Sequence, residues 1–124
     1  MRVLGKSILV VDDDRFVREG LRELLQSRGH SVETAEDGYE AVSLVEESNY
    51  DLILLDLVLP GMNGVETLKT ILMIRPRANV IAMTAYSENE VLASAMTQGA
   101  KKCLLKPVKF ELLENTLREV LVAS

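Results

Sequence analysis

Residues 8–14 read ILVVDDD, an uninterrupted apolar run that ends in three aspartates. A second run, LILLD, occupies residues 52–56 and also ends in an aspartate. Continuous apolar runs are typical of strands covered on both faces, as in parallel sheets. Acidic residues at the carboxyl ends of two such strands converge in the crevice where open α/β sheets bind ligands. Like charges held close repel unless a cation or a proton intervenes, so the two runs predict a divalent-metal site.

Three more strand candidates and five segments with a helical spacing of apolar residues complete the pattern. Each strand candidate is followed by a helical segment. Strict alternation of this kind indicates a parallel sheet with right-handed crossovers, and hence a three-layer α/β/α sandwich. The strands are expected at residues 8–11, 31–35, 52–55, 80–83 and 103–105.

Polar and glycine residues at the segment ends agree with this division. Asp14 is expected to cap the first helix, Gly29 to end it and Gly38 to start the second. Ser87 and Glu90 have the spacing of a capping box for the fourth helix.

The composition limits the classes of protein to consider. With 124 residues, the chain is expected to form one domain over residues 1–124. Its net charge of −5 argues against nucleic-acid binding by this module. Apolar runs far shorter than the roughly 20 residues of a membrane span, and no signal-peptide core, predict a cytoplasmic protein without a membrane partner. A single cysteine, Cys103, excludes an internal disulfide and fits a reducing compartment.

Chemically useful side chains cluster at the predicted strand ends. Asp12 and Asp13 follow the first strand, Asp56 the third, Thr84 the fourth and Lys106 the fifth. Alone, each has an ordinary explanation: a turn former, a satisfied hydroxyl or a solvated lysine. Together they place metal ligands, a carboxylate nucleophile, a hydroxyl and an ammonium on one face. Transfer of a phosphoryl group to a carboxylate requires that set.

The stretches ILVVDDD, DLILLDLVLPGMNG, VIAMTAYS and LLKP resemble the signatures of the receiver domain of two-component response regulators. The likeness covers residues 7–123. It implies a flavodoxin-like fold with a five-stranded parallel sheet in the order 2-1-3-4-5. The whole chain, residues 1–124, is accordingly expected to be one receiver domain.

The resemblance also implies roles at the site. Asp56 would be the phosphoacceptor and a Mg²⁺ ligand. Asp13 would ligate Mg²⁺ directly, Asp12 through water, and Val58 through its backbone carbonyl.

Two further residues would handle the phosphoryl group. By resemblance, Lys106 would pair with one phosphoryl oxygen and Thr84 would donate a hydrogen bond to another. The bond between Lys106 and Pro107 is expected to be cis, as in the family.

The implied partners follow from the same family. A sensor histidine kinase, a phosphotransfer protein or a small donor such as acetyl phosphate would supply the phosphoryl group. A downstream effector domain or protein would respond, and phosphorylation could pair two copies of the chain. The module would not be an enzyme acting on external substrates, although it would catalyse its own phosphorylation and dephosphorylation.

Four positions depart from the pattern or stand apart from it. Cys103 occupies a place where the family usually has Tyr or Phe, and is interpreted as a small buried hydrophobe rather than a redox group. Tyr86 either shields the acyl phosphate or is an exposed loop residue. Val58 offers no side-chain hydrogen bond to an attacking water. His30 is expected to be a turn residue far from the site, without a role in phosphotransfer.

Alternative functions are a Mg²⁺-dependent phosphatase with an aspartate nucleophile, and a docking module that no longer accepts phosphate. The phosphatase would require a second acid where Val58 stands, whereas the docking module would lack an acid, the threonine or the lysine. Nucleotide or flavin binding would require a glycine-rich or hydroxyl-rich loop in place of DDDRF. Whether the chain acts alone or belongs to a longer regulator stays open at this point.

Overall fold

A computed structural model describes residues 5–85 and 89–122, except for the side chain of Asn89. Over these residues, five strands alternate with five α-helices. The strands are β1 (Ser7–Val11), β2 (Ser31–Ala35), β3 (Leu52–Asp56), β4 (Val80–Thr84) and β5 (Lys102–Leu105). The helices are α1 (Arg15–Ser27), α2 (Gly38–Glu47), α3 (Gly64–Ile74), α4 (Asn89–Thr97) and α5 (Phe110–Leu117), the last continued by a π-helical turn over Arg118–Val122.

The sheet has the predicted topology. All neighbouring strands are parallel, and their order is β2-β1-β3-β4-β5. The expected flavodoxin-like α/β/α sandwich is therefore confirmed. The chain leaves β1 in one direction towards β2 and later returns to β3 on the other side. Such a reversal opens a crevice at the carboxyl ends of the two central strands, where Asp12 and Asp56 lie.

The core consists of two apolar layers, one on each face of the sheet. Successive residues of β1 alternate between them: Leu9 and Val11 belong to the layer under α2, α3 and α4. Ile8 and Val10 belong to the layer under α1 and α5. Since side chains of a strand point alternately to opposite faces, a strand covered on both faces has apolar residues throughout. This double burial explains the continuous apolar runs of the sequence.

Element boundaries follow the local signals to within one residue. The Asp14 carboxylate accepts hydrogen bonds from Phe16 N and Val17 N, so it caps α1 as predicted. Asp56 and Thr84 are the last residues of β3 and β4, whereas the sequence placed them just beyond these strands. The capping box of Ser87 lies outside the described residues.

The start of α3 packs directly on the end of β3. Gly64 N donates to Leu57 O at 3.1 Å. A Cβ atom at Gly64 would lie 2.2 Å from Leu57 Cα and 2.6 Å from Asp56 O. Only a residue without a side chain allows the helix to approach the backbone beside Asp56 so closely.

His30 lies between α1 and β2, where the sequence placed it as a turn residue, but it is buried, which the sequence did not indicate. It lies at the amino end of β2, opposite the acidic edge, and its Nδ1 accepts a hydrogen bond from Lys6 N at 3.2 Å. Its Nε2 is buried without a hydrogen-bond partner among the described residues. Burial lowers the pKa of His30, helped by the Lys6 charge and opposed by Glu114.

Folding stability should therefore fall as the pH drops below 6.5, the ordinary pKa of His30. The unfolded chain gains a proton there that the folded chain resists, because protonated Nδ1 could no longer accept from Lys6 N. Above that pH the contribution is fully present. Urea unfolding between pH 7.5 and 5.5 should show a steeper loss for wild type than for His30→Gln, which shares all the carboxylates. Parallel pH curves would contradict the assignment.

Among the described residues, no helix combines the length and apolar character needed to cross a membrane.

Candidate functional site

The carboxyl edge of the sheet collects the predicted site residues because backbone hydrogen bonds continue beyond the strands. Asp12 N donates to Ala35 O at 3.1 Å. On the other side, Lys106 N donates to Thr84 O at 2.8 Å. These bonds hold the β1–α1 and β5–α5 loops in line with the sheet, so their side chains point into the same crevice.

Asp12 is fully buried and contacted at every polar atom. Its Oδ1 accepts from Asp14 N at 2.9 Å, and its Oδ2 lies 2.6 Å from Lys106 Nζ. The Lys106 ammonium is therefore the opposite charge that compensates Oδ2. A buried carboxylate requires such compensation, since an isolated charge in the interior is strongly disfavoured.

Asp56 is held through both of its carboxylate oxygens. Oδ1 accepts from Val58 N at 3.0 Å, and Oδ2 accepts from Lys106 Nζ, also at 3.0 Å. Burial raises the pKa of the Asp56 carboxyl, and the Asp12 charge adds to this effect. The hydrogen bonds from Val58 and Lys106 oppose the rise but do not cancel it.

Lys106 is the positive charge that bridges Asp12 and Asp56. Burial by itself would lower the pKa of Lys106, but its contacts with the two carboxylates outweigh burial and raise the pKa. The ammonium therefore stays protonated at neutral pH. The predicted cis bond between Lys106 and Pro107 is confirmed.

The donor set fits a hard divalent cation. Asp12, Asp13 and Asp56 each present a carboxylate oxygen, and these three atoms lie within 4.8 Å of one another. Carboxylate oxygens are preferred ligands of Mg²⁺, which commonly binds through one or two of them while keeping several waters. Asp13 is exposed, so one side of the group is open to solvent.

Thr84 and Val58 lie where the sequence placed them, at the same edge. Thr84 is fully buried at the end of β4, beside the strand that leads into Lys106. Val58 presents its backbone N–H to Asp56, while its side chain is half exposed. Direct contact of the Thr84 hydroxyl with a phosphoryl group, and of the Val58 carbonyl with a cation, stay predictions.

Cys103 behaves as a packing residue. It is partly buried against the core layer under α4, and its Sγ lies 4.0 Å from Leu92 O. Burial raises the pKa of the thiol, which keeps it protonated and unreactive. These contacts support the interpretation as a small hydrophobe. Tyr86, the other departure considered, lies outside the described residues.

Sequence reasoning missed Arg18. This residue of α1 has a largely buried side chain, and its Nη1 donates to the backbone carbonyl of Asp12 at 2.8 Å. Its position near the start of a helix that follows an acidic loop was the available signal, because such a side chain can turn back towards the loop.

Comparison with known proteins agrees with this geometry. The family model for the response regulator receiver domain matches residues 8–118. The transcriptional regulatory protein ZraR of Klebsiella oxytoca is 41% identical over 114 residues, which are 92% of this chain and 26% of that protein. The chain thus spans about a quarter of the length of this relative.

Shorter relatives match along their whole length. The chemotaxis protein CheY of Thermotoga maritima is 32% identical, over 94% of this chain and 98% of its own. A CheY-like receiver domain structure from Methanospirillum hungatei superimposes with a TM-score of 0.92 at 31% identity, covering 96% of this chain and 95% of that one. The chain belongs to the receiver domain family of two-component response regulators, and so is a signalling module rather than a classical enzyme.

Proposed function

We propose that the domain accepts a phosphoryl group on Asp56 in a reaction that depends on Mg²⁺. The observation that carries this proposal is the bridge formed by Lys106 Nζ, 2.6 Å from Asp12 Oδ2 and 3.0 Å from Asp56 Oδ2. A partly buried ammonium between two carboxylates places a positive charge beside a nucleophile, next to an exposed third acid.

Asp56 is the acid best placed to attack phosphorus. It ends the central strand β3, and the hydrogen bond from Val58 N fixes the orientation of its carboxylate. In the transfer, a carboxylate oxygen forms a bond to phosphorus while the bond from phosphorus to the donor breaks. The donor, the imidazole of a phosphohistidine or the acetate of acetyl phosphate, leaves with the electron pair. The product on this chain is an acyl phosphate.

Asp12, Asp13, Asp56 and the carbonyl of Val58 would hold the cation. When bound, Mg²⁺ would supply positive charge that offsets the negative charge developing on the transferring group. The cation would then offset two of the three carboxylate charges, a role that Lys106 no longer needs to fill. Its ammonium would be free to pair with a phosphoryl oxygen instead, through a charge-assisted hydrogen bond.

Thr84 would complete the set by donating its hydroxyl to another phosphoryl oxygen. Because Thr84 ends β4, a movement of this residue would be transmitted to the segment that leads into α4. We infer that this segment carries the signal to the output partner. Cys103 lacks an aromatic ring that could change rotamer with Thr84, so backbone movement would be the main response.

The proposed partners are a histidine kinase or phosphotransfer protein as donor, and an effector domain or protein as receiver of the signal. The ZraR relative is named a transcriptional regulatory protein, and the present chain matches only 26% of it. With a net charge of −5, this module would control a DNA-binding partner rather than bind DNA itself. We propose that residues 1–124 act as one receiver domain, and pairing of phosphorylated copies stays a prediction.

The phosphatase alternative has little support at the site. Val58 stands where a second acid would be needed, and its apolar side chain is half exposed. A docking module without phosphate acceptance would not need a partly buried ammonium and three convergent carboxylates.

Incubation of the wild-type chain with acetyl phosphate and Mg²⁺ should add a single phosphoryl group, observed by intact-mass spectrometry. Chelation of Mg²⁺ before the donor is added should suppress the uptake, because the repulsion among the carboxylates and the phosphoryl group is then unrelieved. Borohydride reduction of the acyl phosphate, followed by peptide mapping, should place the modification at Asp56. No uptake by the wild-type chain would favour a docking module. Uptake that is equal in chelator would reject the dependence on Mg²⁺, and uptake that maps elsewhere would reject Asp56 as the acceptor.

A further inference from the structure

We infer that Arg18 is a positioning residue for the metal site: its hydrogen bond to the Asp12 carbonyl fixes the peptide plane that orients the Asp13 carboxylate. This inference rests on the proposed function and extends it to a residue outside the acid cluster.

The backbone of Asp12 is held by two hydrogen bonds. Arg18 Nη1 donates to its carbonyl oxygen at 2.8 Å, and Asp12 N donates to Ala35 O at 3.1 Å. Since the peptide group is planar, a carbonyl held in place also fixes the amide nitrogen of Asp13. The peptide plane between the two acids is thereby anchored at its carbonyl by Arg18, and the preceding peptide group is held by β2.

The carboxylate of Asp13 is exposed and makes no hydrogen bond or ion pair with any other described residue. Asp12, by contrast, is held through its side chain by Asp14 N and Lys106. The direction of the Asp13 side chain therefore depends on the backbone, which Arg18 holds at the Asp12 carbonyl before Asp13 and Asp12 Oδ1 holds at the Asp14 amide after it.

The Arg18 side chain is largely buried. Only 13% of it is exposed, whereas its ion-pair partner Glu36 is 65% exposed and lies 3.9 Å away. An exposed pair at this distance contributes little. Its helix is fixed, because Asp14 caps α1 and Leu21 is buried in the core. The guanidinium is thus presented from a rigid element, with the Asp12 carbonyl as its close partner.

A positioning role and a purely electrostatic role of Arg18 predict opposite changes in Mg²⁺ affinity when the residue is replaced. If Arg18 acted only through its charge, removing this cation from the neighbourhood of the site would strengthen Mg²⁺ binding. If Arg18 positions the ligands, its removal weakens binding, as is typical when the outer partners of metal ligands are lost.

The test is an NMR titration of the full chain with Mg²⁺ alone, which gives Kd without any phosphoryl donor. Arg18→Met should raise Kd about tenfold, and the metal-free Asp12 carbonyl and Asp13 amide shifts should move. Arg22→Met removes a cation from the next turn of α1, where Arg22 pairs with Glu19 on the surface. It should leave Kd within about twofold of wild type, and so should Glu36→Gln.

Thermal melting in chelator shows whether each variant is folded. If Arg18→Met does not fold, Arg18→Gln is used in its place. An unchanged or lower Kd in the Arg18 variant would overturn the positioning role while leaving the metal site in place. Failure of the wild-type chain to bind Mg²⁺ saturably would instead reject the metal site itself.

Discussion

Asp56→Asn should take up no phosphoryl group from acetyl phosphate in the presence of Mg²⁺. The amide has neither the nucleophilic oxygen nor the negative charge of the carboxylate, whereas the hydrogen bond from Val58 N can still be accepted by the amide oxygen. The variant should fold, since the substitution removes one of three mutually repelling charges and leaves Lys106 paired with Asp12. Intact-mass spectrometry after a fixed incubation measures the effect, which is the difference between one added group and none.

Asp51→Asn is a matched control for this experiment. Asp51 directly precedes β3 and is exposed, at the end of the strand opposite Asp56, and its carboxylate accepts from Ser7 N at 2.8 Å. This variant should be phosphorylated like wild type. Equal uptake by wild type and Asp56→Asn would remove Asp56 from the role of acceptor.

Gly64→Ala should destabilise the domain strongly. The added methyl carbon would lie 2.2 Å from Leu57 Cα and 2.6 Å from Asp56 O, and both are backbone atoms that cannot rotate away. Overpacking of this kind costs about 3 kcal/mol. For a domain of this size, we expect a fall in melting temperature of roughly 8–15 °C. Since α3 would be pushed away from the end of β3, phosphoryl uptake should also slow.

Gly20→Ala separates this effect from the general consequences of replacing glycine. Gly20 is exposed in the middle of α1, and a Cβ atom there would have no neighbour within 4 Å. Alanine at such a position should stabilise the helix by about 0.5–1 kcal/mol. Thermal melts of the two variants should therefore shift in opposite directions. A Gly64→Ala variant that melts like wild type would show that α3 does not pack on β3 as described.

Much of the fold could be predicted because its signals are local. The runs at residues 8–11 and 52–55 are apolar throughout, since each strand is covered by helices on both faces. The cap of α1 was predictable from Asp14, because a capping side chain bonds to the next two or three residues. Boundaries differed by a residue at Asp56 and Thr84, where hydrogen bonds from neighbouring strands decide how far a strand extends.

The candidate site was predictable in its membership but not in its contacts. Parallel strands bring their carboxyl ends to one edge, which suffices to place Asp12, Asp13 and Asp56 together. The sequence did not show that Lys106 bridges two of these acids. Nor did it indicate that His30 is buried, since a histidine beside a glycine has the local features of an exposed turn.

The sequence by itself determined the order of the elements, the parallel sheet and the edge at which the acids meet, because apolar runs and helix caps act over a few residues. Only the tertiary structure decided the contacts that make the edge a site. Lys106 reaches Asp56 across 50 residues of chain, and Arg18 closes on the carbonyl of Asp12 only once α1 has packed on the sheet. Such contacts depend on the relative placement of whole elements, which their burial against one another fixes and no local pattern encodes.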